Sequence, residues 1–518
     1  MVFREPIDVN YNMAKKTELE IAFLKELESR FAEATEVKGI ADSLTKAGYE
    51  PYLVGGCLRD LILGRVPKDW DIATNATPDE IRMVFPNSVY ENQFGTVGVK
   101  TNSEDSAMQI VEVTTFRKEM GYTDRRHPDK VMFAKTIEED LARRDFTINA
   151  MAFEVSSHKR RAEGLVDPFG GRDDLENKLI RAVGEPNERF GEDALRLMRA
   201  VRLGVELNFE IEKKTGEAIK QNASLINLIA KERIRDELTK ILMAKNAKLG
   251  IEQLEKFGLL EHIVPELREG IDVEQNKHHK YTVWEHSLNS LDYAALENYS
   301  LAVRLAALFH DVAKPRTKTG DGPDSHFFSH EVVSAEMVEA ALGRLCFSSE
   351  LIDKVIILIR YHMFKADPEE ITEAAVRRTI RAVGPENIWE LINLRTADRI
   401  GSGVPKAWPY RLRSYMALVE KNLKEPIGLK QMVLKGDQLM ELLRIPAGPR
   451  IGWLLYVLFE EVLDEPSKNN YDYLSQRAID LGGLSDRELE KLAEKAKESY
   501  QQILSEEEEE IKKRYYVE

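Results

Sequence analysis

Residues 53–78 read LVGGCLRDLILGRVPKDWDIATNATP, and this stretch decides the fold. An apolar run that begins near Tyr52 leads into Gly55 and Gly56, a pattern that predicts a turn from a strand into a helix. Glycine at such a turn lets a phosphate group approach the backbone, and the helix N-terminus behind it favours anions. When the two glycines are taken alone, a plain strand-to-helix turn explains them better.

Three carboxylates follow in a pattern suited to metal ions. KDWDIAT places Asp69 and Asp71 two residues apart, so that in a strand both lie on one face. In IVEVTTFR, Glu112 alternates with Val111 and Val113 and faces away from them. Mg²⁺ prefers such hard oxygen ligands, and two ions can stabilise the attacking and leaving oxygens of a phosphoryl transfer. Taken alone, D-x-D is more often part of a surface loop.

Composition limits the class of protein. A chain of 518 residues is too long for one ordinary hydrophobic core and predicts several domains. The apolar fraction is 43%, and no apolar run approaches the ~18 residues of a membrane helix, so we expect a soluble protein with no membrane contact. The two cysteines, Cys57 and Cys346, lie far apart, and the first residues lack a secretory pattern. We therefore expect a cytoplasmic protein without a disulfide framework.

The net charge of −15 argues against a nucleic-acid partner, because Lys and Arg supply much of the affinity for phosphate. Basic residues nevertheless cluster locally, and local distribution matters more than the sum. This pattern predicts a basic cleft on an acidic body. The clustered residues are Arg117, Lys118, Arg125, Arg126, Arg143, Arg144, Arg196, Arg199 and Arg202.

Hydrophobic periodicity divides the chain into an α/β head and a long helical body. Residues 50–155 alternate short apolar strands with turns, and beyond DPFGGRDDLE the apolar residues recur almost wholly at helical spacing. The predicted fold class is α+β. We predict a helical extension, an α/β head, a helical neck and body, a metal-binding helical domain and a helical tail at 1–35, 36–170, 171–277, 278–402 and 403–518.

The motifs also carry a family resemblance. LVGGCLRDLILGRVPKDWDIATNATP, EVTTFR, LARRDFTINAMAF, DPFGGRDDL, RFGEDALRLMRAVRL and KERIRDELTKIL resemble, in order, class II bacterial tRNA nucleotidyltransferases (CCA-adding enzymes) and poly(A) polymerases. The resemblance implies a polymerase-β-type head in which Asp69 and Asp71 hold Mg²⁺ and Glu112 is the third catalytic carboxylate. It further implies nucleotide binding by Gly55, Gly56, Arg59, Arg143, Arg144, Asp145, Asn149, Asp193, Arg196 and Arg199.

Base selection is expected at GEDALRLMRA. The spacing of Asp193, Arg196 and Arg199 predicts one face of a helix. A carboxylate accepts from the exocyclic amine of cytosine or adenine, and a guanidinium donates to the neighbouring ring acceptors, whereas uracil and guanine present a carbonyl there. The pair, supported by Glu192, is therefore expected to admit C and A. An ordinary surface salt bridge between Asp193 and Arg196 is the alternative.

Residues 117–129, RKEMGYTDRRHPD, are polar and poorly periodic, which predicts a mobile loop. The segment resembles the flexible loop of family members that add the terminal A. This favours complete CCA addition or A addition over CC addition.

Seven of the ten histidines lie between 278 and 362, a density that suggests a second metal site. The set resembles an HD-domain centre, with His286, His310, Asp311 and Asp398 for one ion and His330 and His362 for a second. Such ligands suit a divalent transition metal or Mg²⁺, and the sequence leaves the ion open. His278, His279 and His326 belong to no predicted ligand set.

The resemblance implies an enzyme that adds CMP and AMP from CTP and ATP to the 3′ end of tRNA, with the tRNA acceptor and elbow along the helical body. The HD domain is expected to act as a phosphohydrolase on damaged RNA 3′ ends. The alternatives are an A-adding or CC-adding specialist, a poly(A) polymerase, or a phosphohydrolase whose head only binds RNA.

Overall fold

The computed structural model describes residues 22–92, 95–120, 130–155, 164–276, 280–320, 322–424 and 429–517. The chain divides into two compact units, Met1–Asp353 and Lys354–Glu518. Among the described residues, no helix has both the length and the apolar character needed to cross a membrane. The five segments predicted from the sequence are finer than this division, and their boundaries stay predictions.

In the part of the chain that the structure describes, the strands lie in the first unit. They are β1 (Pro51–Val54), β2 (Asp71–Thr74), β3 (Ser88–Asn92), β4 (Thr96–Lys100), β5 (Ile110–Thr115), β6 (Arg117–Met120), β7 (Lys130–Phe133), β8 (Ala152–Glu154), β9 (Leu165–Val166), β10 (Leu179–Ile180), β11 (Glu210–Ile211), β12 (Lys318–Thr319) and β13 (His326–Phe327).

Helices of the first unit surround and follow the strands. They are α1 (22–32), α2 (Thr35–Lys46), α3 (Gly55–Ile62), α4 (Pro78–Val84), α5 (Ile137–Leu141), α6 (Gly171–Glu176), α7 (Pro186–Glu192), α8 (Arg196–Leu207), α9 (Lys213–Asn222), α10 (Lys231–Met243), α11 (Ala247–Lys256), α12 (Leu260–Ile263), α13 (Val283–Leu296), α14 (Leu301–Phe309), α15 (Lys314–Thr317) and α16 (His330–Arg344). The boundary between the units falls within α17 (Ser349–Tyr361).

The regular elements among the described residues of the second unit are helices. Its further helices are α18 (Glu373–Val383), α19 (Ile388–Gly401), α20 (Tyr410–Leu423), α21 (Gly436–Leu443), α22 (Pro449–Asp464), α23 (Tyr471–Gly482) and α24 (Asp486–Tyr515). Apolar residues of α21 to α24, among them Leu439, Leu458 and Leu489, form one buried core. The predicted helical tail is therefore confirmed as helical.

The head is built on a seven-stranded sheet of order β3-β4-β5-β2-β1-β8-β9. Its neighbours are antiparallel except for β2 and β5, which run parallel, and their register sets Asp71 opposite Glu112. β5 alternates between exposed and buried positions, as an antiparallel or mixed sheet with one covered face requires. The predicted α/β head followed by a helical body is confirmed.

The DPFGG segment, residues 167–171, packs against the 3₁₀ turn Thr147–Asn149. A Cβ on Gly171 would lie 2.2 Å from the Thr147 carbonyl oxygen, so only glycine allows this close approach. Asp167 accepts hydrogen bonds from the backbone amides of Gly171 and Arg172, and Asp174 accepts one from the Thr147 hydroxyl at 2.6 Å. The segment therefore supports the turn that carries Asn149.

The first four residues of the predicted mobile loop form a strand. Residues 117–120 form β6, which pairs with β7 in an antiparallel hairpin with Arg117 opposite Phe133. The loop prediction is wrong for these residues, because the partner strand lies far enough along the chain that local periodicity does not reveal it. Residues 121–129, with Arg125 and Arg126, lie outside the described residues.

Candidate functional site

The three predicted carboxylates gather around the start of β2. Asp71 is the first residue of β2 and lies directly opposite Glu112 on β5. Asp69 comes just before the strand, so the prediction that both aspartates belong to it is wrong by two residues. The ladder reaches back to Trp70, whose carbonyl oxygen accepts a hydrogen bond from the Glu112 amide at 3.0 Å.

A glycine turn faces these carboxylates. Gly55 has a φ of +71° and begins α3, which confirms the predicted strand-to-helix turn. A Cβ on Gly55 would lie 3.2 Å from Asp71 Oδ2 and 3.0 Å from Arg144 Nη1, and one on Gly56 would lie 3.9 Å from Asp69 Oδ1. The backbone at the start of α3 is therefore next to both a carboxylate and a guanidinium.

Burial changes the chemistry of Asp71. It raises the pKa of the Asp71 carboxyl to about 6, an effect that Arg144 opposes and Asp69 reinforces. A half-buried carboxylate that lies beside another carboxylate is expected to bind a cation, because the cation compensates both the lost hydration and the repulsion. The donor set of Asp69, Asp71 and Glu112 consists of carboxylate oxygens and fits a hard divalent ion.

One buried aspartate, Asp140, forms ion pairs with both arginines of the ARRDF motif, residues 142–146. Asp140 Oδ1 lies 2.7 Å from Arg143 Nη2, and Asp140 Oδ2 lies 3.2 Å from Arg144 Nη2. Burial alone would raise the pKa of Asp140, but the two guanidinium groups hold it below its ordinary value. The sequence prediction missed this residue, although its i,i+3 and i,i+4 spacing to the arginines was a usable signal.

Asp145 and Asn149 form a second small network with residues from two helices. Arg199 on α8 lies 2.9 Å from Asp145 Oδ2, and Arg59 on α3 donates to Asn149 Oδ1 at 2.9 Å. Asn149 in turn donates to Asp145 Oδ1 at 3.4 Å. Burial alone would raise the pKa of Asp145, but Arg199 and Arg196 hold it below its ordinary value. The predicted nucleotide-binding residues are thus brought together, and their role stays a prediction.

The structure corrects the predicted base-selecting helix. Asp193 does not share a helix with Arg196, because α7 ends at Glu192 and α8 begins at Arg196. The Asp193 side chain accepts a hydrogen bond from the Leu195 amide at 3.0 Å, and its φ of −136° is extended. Aspartate competes for backbone donors in this way and so ends a helix.

The alternative prediction, a salt bridge between Asp193 and Arg196, is also wrong, because each residue pairs with a different partner. Arg196 pairs with Glu192 at 2.6 Å, and Asp193 pairs with Arg233 of α10 at 2.9 Å. Arg196 also donates to the Arg143 carbonyl oxygen at 3.1 Å, which links α8 to the ARRDF motif. Sequence reasoning missed Arg233, which lies 40 residues beyond its partner.

The predicted basic cleft is largely neutralised within the described residues. Six of its residues form ion pairs with carboxylates at distances of 2.5 to 3.2 Å. The paired residues are Lys118 with Glu139, Arg143 and Arg144 with Asp140, Arg196 with Glu192, Arg199 with Asp145, and Arg202 with Glu237. Their positive charge is therefore not simply available to a phosphate backbone.

A second site lies where α13 faces the end of α14. His286 Nε2 lies 2.9 Å from His310 Nε2, and both are close to Asp311 Oδ2, at 3.2 and 3.3 Å. These three buried residues can each offer one ligand atom, and those atoms lie within 4.8 Å of one another. Two imidazole nitrogens and a carboxylate oxygen at this spacing fit one divalent ion.

Lys314 and His330 also contact Asp311. Lys314 Nζ lies 2.6 Å from Asp311 Oδ2, and His330 Nε2 lies 3.3 Å from Asp311 Oδ1. Burial alone would raise the pKa of Asp311, but His310 and Lys314 hold it well below its usual range. Lys314 was missed from the sequence, where its position three residues after Asp311 was the available signal.

The other two predicted ligands of the HD-type site lie in the second unit. His362 is buried, and its Nδ1 lies 2.6 Å from the Ile359 carbonyl oxygen. Asp398 on α19 is also buried and pairs with Arg395 at 2.7 Å. Their membership in one ligand set with the residues of the first unit stays a prediction. His278 and His279 lie outside the described residues.

Comparison with protein families matches three segments in the order of the chain. Residues 51–181 match the poly A polymerase head domain, and residues 208–271 match the family described as the probable RNA and SrmB-binding site of polymerase A. Residues 283–400 match the HD domain. The segments contain the glycine turn, the carboxylates and the His310–Asp311 pair described above.

Similar proteins agree with these matches. The CCA-adding enzyme of Limosilactobacillus reuteri (strain DSM 20016) is 45% identical over 240 residues, which are 46% of this chain and 56% of that protein. The CCA-adding enzyme of Ligilactobacillus salivarius is 46% identical over 215 residues, 41% of this chain and 50% of that protein. The chain therefore spans about half the length of the curated relatives it matches.

A solved structure extends the likeness to more of the chain. The Bacillus stearothermophilus CCA-adding enzyme in complex with CTP has a TM-score of 0.56 and 28% identity, covering 86% of this chain and 96% of that one. Fold and site together define a polymerase-β-type nucleotidyltransferase head joined to an HD domain. Within that class, residues 51–181 are similar to poly A polymerase head domains, and the known proteins that the chain resembles are CCA-adding enzymes.

Proposed function

We propose that this protein adds CMP and AMP, taken from CTP and ATP, to the 3′ end of tRNA without a nucleic-acid template. The observation that carries the proposal is the register of β2 and β5, which sets Asp71 opposite Glu112 beside the glycine turn. The likeness to CCA-adding enzymes, one of them solved in complex with CTP, supports the choice of substrates. The proposed substrates and the two cysteines in 518 residues support a cytoplasmic location.

In the proposed reaction, the 3′ oxygen of the RNA attacks the α-phosphorus of the nucleotide. The bond from that phosphorus to the bridging oxygen breaks, pyrophosphate leaves, and the hydroxyl proton passes to solvent. Asp69 and Asp71 would hold Mg²⁺, with Glu112 as the third carboxylate, and the ions would supply positive charge to the attacking and leaving oxygens. The start of α3 at Gly55 offers backbone amides to the triphosphate, and Arg144 adds a guanidinium beside it.

Mg²⁺ affinity at the head is expected to fall as the pH drops through about 6. The Asp71 carboxyl, whose pKa is raised to about 6, is ionised above that pH, whereas below it an ion must displace a proton. We expect affinity to fall about tenfold per pH unit below the pKa. Calorimetric titration of Mn²⁺ into the Asp311→Asn variant at pH 5 and pH 7.5 measures this, because that variant is expected to lack the His286–His310–Asp311 metal site and so reports the head alone. Equal affinity at the two pH values, or a pH step that survives Asp71→Asn, would contradict it.

Base selection in this proposal rests on Asp193 and Arg196 at the junction of α7 and α8. Each is held by another ion pair, so their orientation is set by Arg233 and Glu192 rather than by each other. Asp193 accepts from the exocyclic amine of C or A, and Arg196 donates to the ring acceptor beside it. Arg233 is then a positioning residue for Asp193.

Replacing Arg233 by Met is expected to weaken base discrimination. The Asp193 carboxylate would lose its charged partner but keep the hydrogen bond from Leu195, so its direction would no longer be fixed. We expect the preference for CTP over UTP to fall about tenfold, the scale of one charged hydrogen bond, with a smaller change in kcat. Arg233→Lys should recover part of the preference. Arg235→Met is the matched control, since Arg235 on the same helix pairs with Asp236, and it should keep full discrimination. Unchanged selectivity in the Arg233 variant would refute this role.

The experiment that tests the whole proposal offers CTP, ATP or both to tRNA ending before CCA, after C and after CC. We expect all three tRNAs to be completed to CCA when both nucleotides are present, with no addition of U or G. Addition only to the CC-ending tRNA would make the protein an A-adding specialist. Addition that stops at CC would make it a CC-adding specialist, and long A tails would indicate a poly(A) polymerase.

A second activity is favoured by the buried group of His286, His310 and Asp311. We propose that it holds a divalent metal and hydrolyses phosphate esters at RNA 3′ ends, for example a 2′,3′-cyclic phosphate. Water adds to the phosphorus, one ester bond to the ribose breaks, and the released oxygen takes a proton. The ion would supply positive charge beside the phosphoryl oxygens. Asp311 and the imidazoles would hold it, and Lys314 would balance the charge of Asp311.

A further inference from the structure

The hairpin of β12 and β13 carries a pair of aromatic rings that face solvent. His326 and Phe328 stack with ring centroids 5.3 Å apart and an interplanar angle of 18°. Both are exposed, and Phe328 is 71% exposed. Phe327 lies between them in the chain and is less exposed. An exposed stacked pair presents a flat aromatic surface, which we call the His326–Phe328 platform.

The platform is tied to the HD-type metal group through Phe327. The Phe327 carbonyl oxygen lies 2.8 Å from His330 Nδ1, and His330 Nε2 lies 3.3 Å from Asp311. Lys314 Nζ lies 5.5 Å from the centre of the Phe327 ring and also contacts Asp311, at 2.6 Å. Two short chains of contacts therefore join the platform to the candidate metal ligands.

We propose that the His326–Phe328 platform binds the base of a nucleoside phosphate whose phosphate group is hydrolysed at the His286–His310–Asp311 group. This rests on the HD-domain activity proposed above and adds to it how a nucleotide substrate is recognised. Every base has a π face, so a stacking surface accepts any 3′-terminal nucleotide without reading its sequence. A site that acts on damaged 3′ ends of RNA requires that tolerance. His326, which belongs to no predicted ligand set, thereby has a role.

The test uses the full chain with Mn²⁺ added and compares three substrates: adenosine 2′,3′-cyclic phosphate, an RNA oligonucleotide ending in a 2′,3′-cyclic phosphate, and glycerol 1,2-cyclic phosphate. The last carries the same ring ester without a base. For Phe328→Ala we expect KM to rise at least about fivefold on the first two substrates, the lower end for loss of one stacked base, and to stay unchanged on the third. Phe328→Tyr should restore KM, and Phe328→Leu, which is apolar but cannot stack, should not. Tyr90→Ala removes an exposed ring from the head and should leave all three KM values unchanged.

An equal change on the base-free substrate, or no change on any substrate, would overturn the proposal. An effect on the mononucleotide but not on the RNA would limit the ligand to free nucleotides, and the reverse would limit it to RNA ends. If the unaltered protein hydrolyses none of the three substrates, the proposed HD-domain activity is refuted. The proposal that the platform binds a base is then tested separately by nucleotide binding. Calorimetry with adenosine 2′,3′-cyclic phosphate would then have to show weaker binding to Phe328→Ala, and equal binding would refute the platform.

Discussion

Asp71→Asn is expected to lower nucleotide incorporation into tRNA at least about a thousandfold, the upper range for loss of one electrostatic stabiliser of a transition state. Asparagine keeps the shape of the side chain and removes the charge. The residue lies opposite Glu112 and next to the glycine turn, so the charge is lost where the nucleotide phosphates and the ions would meet. Single-turnover incorporation of labelled CMP into tRNA that lacks CCA measures the effect.

The controls separate catalysis from folding. Asp79→Asn makes the same change at an exposed position of α4 in the same head and should leave incorporation within about twofold, as surface substitutions usually do. The Asp71 variant should bind tRNA normally in a filter assay and keep its hydrolysis of cyclic phosphate. Incorporation near the normal rate would show that Asp71 is not a metal ligand in nucleotide addition.

Asp311→Asn should abolish metal binding at the HD-type site and spare nucleotide incorporation. Asp311 is within 3.3 Å of nitrogen atoms from His286, His310, His330 and Lys314, so its charge holds the whole group together. We expect metal affinity to fall at least about a hundredfold, since even supporting partners of metal ligands cost tenfold to a hundredfold. Metal content after dialysis and hydrolysis of a 2′,3′-cyclic phosphate are the measurements.

This substitution also leaves the buried ammonium of Lys314 without its counter-charge, and breaking a buried pair costs about 3 to 5 kcal/mol. The double variant Asp311→Asn with Lys314→Met removes both charges and should regain most of the lost thermal stability without regaining metal. Recovery of metal binding in the double variant would show that folding, not ligation, was the defect. Loss of nucleotide incorporation in a well-folded variant would contradict the independence of the two sites.

The carboxylate site of the head could be read from the sequence because its signals are local. A strand alternates faces, so Glu112 between two valines had to point away from the core, and the structure confirms this. Glycines after an apolar run predicted the turn at Gly55 for a similarly local reason. The position of Asp69 before the strand was harder to predict from the sequence, since the ends of a strand depend on the neighbouring strand as much as on the residues themselves.

The base-selecting region shows where sequence spacing misleads. Three-residue spacing predicted one helical face for Asp193 and Arg196, yet the aspartate side chain bonds to a backbone amide and divides the segment into two helices. Residues 117–120 of the predicted loop are a similar case, because β6 is a strand only through its pairing with β7.

Sequence alone was enough to predict the order of the domains, the glycine turn, the alternation that exposes Glu112 and the adjacency of His310 and Asp311. Each of these depends on residues close together in the chain, whose backbone geometry is set locally. Tertiary structure decided the partners: Asp193 with Arg233, Asp145 with Arg199, and Asp311 with Lys314. Any of several arginines could neutralise a given carboxylate, and only the packing of helices and strands brings one of them within hydrogen-bonding distance.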